Sequence, residues 1–165
     1  MNMSIDYSKV ICEALIMRGA ELGFIEQNDG WTLTLPFELP TDFSKIFNST
    51  PELYIRLREN GDVSIQYCFL KNIAEDKIDN VNYTLNEIMN DCQFACLYIS
   101  KENDVCFSYD FRLLGNEEEA TELFMEIFST LSEIIITSYP YIIAATEQFS
   151  LDDIFDSTNW GMNAL

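Results

Sequence analysis

Residues 105–124 read VCFSYDFRLLGNEEEATELF, and they hold both periods on which the fold turns. Val105, Phe107, Tyr109 and Phe111 alternate with Cys106, Ser108, Asp110 and Arg112, the period of two that marks a strand with one apolar face. Four residues later the pattern changes. Asn116 is a good N-cap, Glu119 stands three positions on as in a capping box, and Glu117 and Glu118 put negative charge at the positive end of the helix dipole. From there Ala120, Leu123, Phe124, Ile127, Phe128, Leu131, Ile134 and Ile135 recur at helical spacing, a stripe broad enough to cover a sheet face. Tyr139-Pro140 is expected to kink or break this helix, because proline has no N–H to donate.

Working outward, Phe94 to Ser100 reads as the partner strand of Val105 to Leu113, with Lys101-Glu102-Asn103-Asp104 as the turn. Val81, Leu85, Ile88 and Met89 return to helical spacing between about Asp79 and Asp91. Before them lies a second hairpin. Leu53, Ile55 and Leu57 alternate with Tyr54, Arg56 and Arg58, Glu59-Asn60-Gly61-Asp62 turns the chain, and Val63, Ile65, Tyr67 and Phe69 alternate with Ser64, Gln66 and Cys68. Pro36, Pro40 and the polar run to Pro51 predict a loop. Phe24 to Gln27 and Trp31 to Phe37 flank Asn28-Asp29-Gly30 and predict a first hairpin. Val10, Ile11, Ala14, Leu15, Met17 and Leu22 predict a helix from about Tyr7 to Leu22 that Gly23 stops. The result is an α+β fold, an antiparallel sheet of about six strands with three main helices in the order α-ββ-ββ-α-ββ-α. At 165 residues the chain is one domain, read as residues 1–147, followed by an acidic C-terminal tail, 148–165. Phe149, Leu151, Ile154, Phe155 and Trp160 give that tail enough apolar surface to predict that it docks on the domain.

Charge narrows the function. Asp and Glu number 28 against 9 Lys and Arg, a formal −19, so the surface field repels phosphate backbones and anionic bilayers. Neither nucleic acid nor membrane is an expected partner. No histidine is present, which removes the commonest general base and zinc ligand together with every Ser-His or Cys-His nucleophile. Cys12, Cys68, Cys92, Cys96 and Cys106 are odd in number and scattered through helices and strands, as suits reduced thiols packed as small hydrophobes. Cys92 and Cys96 lack the further ligands that a zinc site needs, so no metal and no cofactor is expected. The first twenty residues, broken by Asp6 and Glu13, do not resemble a signal peptide, and no window approaches the roughly 18 apolar residues of a membrane span. The expectation is a cytoplasmic location.

A family pattern enters at Leu85-Asn86-Glu87-Ile88-Met89-Asn90. With Phe94-Ala95-Cys96-Leu97-Tyr98-Ile99, Asp104-Val105-Cys106-Phe107-Ser108-Tyr109-Asp110 and Gly115-Asn116-Glu117-Glu118 it resembles the YbjN family. That is a bacterial group whose fold is similar to type III secretion chaperones. The likeness covers about Leu85 to Glu133, while the earlier elements agree in order and type. It implies a homodimer or partner-binding module and carries over no catalytic residues.

The residues themselves offer few sites. Arg56, Arg58 and Arg112 are three of the nine basic residues, and Arg56 and Arg58 share one face of one strand, where a patch could grip a carboxylate or phosphate. In so acidic a chain, cross-strand ion pairs are the ordinary expectation for them. The three glutamates at 117–119 point in directions about 100° apart and serve the helix dipole rather than a metal. Phe24, Trp31, Phe37, Phe43 and Phe47 concentrate aromatics in and after the first hairpin, most of them expected in the core. Trp31, Phe37, Phe43, Phe47, Arg56 and Arg58 are thus the candidate partner-binding residues. The expected function is a non-catalytic, chaperone-like or regulatory module that binds an apolar or basic segment of an unidentified protein. The alternatives are a self-associating regulatory protein without a ligand and, last, an enzyme working through a carboxylate pair.

Overall fold

The computed structural model describes residues 5–36, 52–92 and 96–146. Helix α1 (Tyr7–Met17) begins where the Asp6 side chain accepts from the Lys9 N–H at 3.2 Å. It ends earlier than the apolar spacing suggested. Gly19 takes φ +80°, its N–H bonds the Ile16 carbonyl, and the Ala20 N–H reaches back to the Leu15 carbonyl, a Schellman closure that stops the helix four residues before Gly23. Gly23 instead opens β1 (Gly23–Gln27). Ile11 and Leu15 are buried, whereas Met17, expected on the apolar face, is exposed.

Strands β2 (Gly30–Pro36), β3 (Glu52–Arg58) and β4 (Asp62–Leu70) follow as successive antiparallel neighbours. A 3-10 turn (Glu75–Lys77) leads into α2 (Ile78–Asp91), then come β5 (Cys96–Ile99), β6 (Val105–Arg112) and α3 (Glu117–Ala145). The six strands form one antiparallel sheet in the order β1-β2-β3-β4-β6-β5, so the expected α+β order α-ββ-ββ-α-ββ-α stands. Of the loop expected from Pro36 to Pro51, Pro36 instead ends β2 opposite Glu52, and the remainder lies outside the described residues, as do the start of the strand expected at Phe94 and the tail from 148.

The period of two assigns the faces. Leu33, Leu53, Ile55, Leu57, Val63, Ile65, Tyr67, Val105 and Phe107 lie on the helix side and are buried. The opposite face carries Thr32, Thr34, Tyr54, Arg56, Ser64, Gln66, Ser108 and Asp110. On the helix side α3 packs against both α1 and α2, α1 lies over β2 and β3, and α2 lies over β5. This arrangement leaves β1 beyond the helices, and all five of its residues are exposed.

The start of α3 is the capping box that its sequence predicts: the Glu119 N–H donates to Asn116 Oδ1 at 3.0 Å and the Asn116 N–H donates to Glu119 Oε2 at 2.9 Å. The break expected at Tyr139-Pro140 does not occur. Pro140 neither breaks nor ends the helix, which runs on to Ala145. Tyr139, Pro140, Ile142 and Ile143 are all buried, and the Tyr139 hydroxyl donates to the Phe69 carbonyl at 2.9 Å. Tertiary packing on both sides of the proline outweighs the lost helical hydrogen bond. By length and composition α3 is also apolar enough to cross a bilayer, with a mean hydropathy of 1.3 over its best window, which the count of uninterrupted apolar residues missed. Here its apolar side contributes Ala120, Phe124, Leu131 and Ile135 to the core.

Candidate functional site

Because α1 stops short of β1, a groove of about 370 Å³ opens between the helix and the first hairpin. Ile16, Leu22, Phe24 and Trp31 supply apolar walls, and Cys12 lines it from α1. Phe24 and Trp31 meet edge to face, ring centroids 5.4 Å apart. Phe24 is 55% exposed and Ile16 54%, so neither is the core residue that its type suggests. The rim is acidic. Asp6, Glu13, Glu26 and Glu59 surround the groove and, among the described residues, Lys9 is the one cation beside them, already 4.0 Å from Glu13. The Cys12 thiol feels this setting: burial first, then the charges of Asp6 and Glu13, push its pKa up to about 11.

Trp31 therefore belongs to the groove, and α1 provides wall residues that no strand pattern could have pointed to. Arg56 and Arg58 are elsewhere. Trp31 pairs with Leu57 and Thr32 with Arg56, so the arginines lie on the opposite face of the sheet from the indole. Phe37, Phe43 and Phe47 lie outside the described residues.

On the open face the β4–β6 register adds Arg112 to the two expected arginines. Arg56, Arg58 and Arg112 surround a shallow basin of about 540 Å³ with Asp62, Ser64 and Asp110. Asp29, from the β1–β2 turn, accepts from Arg56 Nη2 and approaches Arg58 Nε at 3.4 Å. Asp62 lies 3.6 Å from Arg112 Nε. The ion pairs expected of strand arginines in an acidic chain are thus present. Arg56 Nη1 is enclosed and has no hydrogen-bond acceptor among the described residues.

Two further features complete the surface. A concavity of about 480 Å³ between α2 and α3 is lined by Tyr83, Ile88, Cys92 and Tyr141 with Glu87 and Asp91. Cys68 and Cys106 face each other across β4 and β6 as free thiols, and burial pushes the Cys68 thiol up to about 12. Among the described residues no three His, Cys, Asp or Glu side chains converge as a metal site would require.

No protein-family model matches the chain, and no curated protein matches it. Among solved structures, the fold resembles the crystal structure of YbjN from E. coli, a protein proposed to regulate transcription. The two share 14% sequence identity over 79% of this chain and 89% of that one, with a TM-score of 0.49.

Proposed function

We propose that the chain is a non-catalytic partner-binding module, chaperone-like or regulatory, whose groove between α1 and the first hairpin takes an apolar protein segment flanked by basic residues. The observation that carries this reading is the union of exposed Phe24 and Ile16 beside Trp31 with a rim that, among the described residues, holds four acids and one lysine. Exposed aromatic and aliphatic side chains in a concavity gain by desolvation, and the acidic rim selects the sign of the flanks.

The test is calorimetric titration with two synthetic peptides that share an apolar centre and differ in lysine or glutamate flanks. The lysine peptide should bind, the glutamate peptide should not, and Phe24→Asp should abolish binding while leaving the far-ultraviolet circular dichroism unchanged. Equal binding of both peptides, or binding indifferent to Phe24→Asp in a folded variant, would overturn the reading.

The exposed β1 edge favours a second reading, a homodimer in which two β1 strands pair. Phe24 and Ile25 are both exposed on this strand, on opposite faces, and an edge with no second neighbour among the described residues and apolar side chains on both faces invites another strand.

A further inference from the structure

The basin on the open sheet face has a chemistry that segment binding in the α1 groove does not use. An arginine side chain carries five N–H donors, and its two terminal nitrogens form the fork that fits a two-oxygen anion. Arg58 Nε lies 3.4 Å from Asp29 Oδ2 and Arg112 Nε lies 3.6 Å from Asp62 Oδ1. Their side chains remain 52% and 60% exposed despite these pairs. Asp29 fixes Arg56 and Arg58 together from the turn, and Ser64 adds a hydroxyl between the arginine strands. The aspartates hold the arginines in place and leave the Arg58 and Arg112 side chains more than half exposed in the basin.

We propose that Arg58 and Arg112, held by Asp29 and Asp62, form a binding site for the carboxylate of a small acid or an acidic peptide. The charge balance favours a carboxylate over a phosphate. The basin sets three arginines against Asp29, Asp62 and Asp110 in a chain of net −19, and a phosphomonoester brings close to two negative charges where a carboxylate brings one. Three of the nine basic residues of the whole chain meet here. The site is independent of the α1 groove, which lies on the other face of the sheet.

Acetate and inorganic phosphate serve as probes, titrated at constant ionic strength set with sodium chloride, while the arginine Nε–H signals are followed by nuclear magnetic resonance. Acetate should give saturating shifts at the Nε–H signals of Arg58 and Arg112 and none at Arg18. Replacing the forks while keeping the charge, Arg58→Lys with Arg112→Lys, should weaken acetate by about tenfold, the loss of roughly one charge-assisted hydrogen bond. Shifts that never saturate, an affinity unchanged in the lysine variant, or phosphate binding more tightly than acetate would each overturn the proposal. Lysine-peptide binding in the α1 groove should be the same in both proteins, which separates this result from the fate of the groove.

Discussion

At the scale of single residues, backbone geometry and burial decide more than identity does. Gly30 opens β2 with φ +146°, and a Cβ placed there would lie 2.0 Å from the Leu57 carbonyl oxygen. That oxygen belongs to the adjacent strand and cannot swing aside. Gly30→Ala should therefore cost about 3 kcal/mol or more, combining a strained φ with a displaced ladder, as read from urea denaturation. Gly19, at φ +80°, has no heavy atom within 4 Å of such a Cβ, so the same change there should cost only about 1 kcal/mol. Equal losses at the two positions would remove the steric argument. The thiols add a pH dependence. Burial raises Cys12 from an ordinary value of 9.0 to about 11 and Cys68 to about 12. A folded-state pKa above the unfolded one means that the native chain holds its proton longer, so this stability is fully present below about pH 9 and is lost as pH rises through 11 and 12. With no histidine to titrate near neutrality, the urea midpoint should be level from pH 6 to 8 and should fall by pH 10. A midpoint unchanged at pH 10 would contradict the assignment of these thiols as buried and neutral.

At the scale of elements, period and capping were legible wherever local signals agreed with tertiary packing. Asn116 and Glu119 announced the start of α3, and the reciprocal hydrogen bonds bear this out. Asn116→Ala should cost about 1 kcal/mol without changing the slope of the denaturation curve, because it removes a cap and exposes little new surface. A change below a few tenths would mean that the Glu119 side chain and water suffice. The hairpins were equally readable, since alternation and Gly- or Asn-bearing turns specify them locally, and Gly61 and Asn103 do take positive φ at two of those turns. Two boundaries were not legible. Leu22 continued the apolar spacing of α1, yet the chain had already closed at Gly19, because Leu22 packs from the segment entering β1 rather than from a helix. Pro140 signalled a stop by its own chemistry, but Tyr139, Ile142 and Ile143 are buried, the Tyr139 ring against Tyr67 and Phe69 of β4, and such long-range burial has no local signature.

At the scale of the whole molecule, the candidate sites were half legible for the same reason. Aromatic density pointed to Trp31, and alternation put Arg56 and Arg58 on one face, but the groove wall on α1 and the joining of Arg112 to the basin depend on packing and on the β4–β6 register. Global charge, by contrast, is legible in full and separates the two occupants proposed for the β1 side of the molecule. Pairing two copies brings together two chains of −19 each, so their mutual repulsion falls as salt rises and the dimer should strengthen. A lysine-flanked segment entering an acidic rim gains long-range attraction, so its association should slow and weaken along the same series. Between about 10 and 150 mM salt the screening length falls from roughly 30 to 8 Å, which spans the dimensions of one such domain. Light scattering should then show the mass climbing from 19.1 kDa toward twice that value with salt if β1 pairs with itself. Stopped-flow mixing with the lysine peptide should show the on-rate falling over the same range. Because the slopes have opposite signs, a mass fixed at 19.1 kDa throughout would rule out the dimer, and a salt-independent on-rate would leave apolar docking on Phe24, Ile16 and Trp31 as the only source of recognition in the groove.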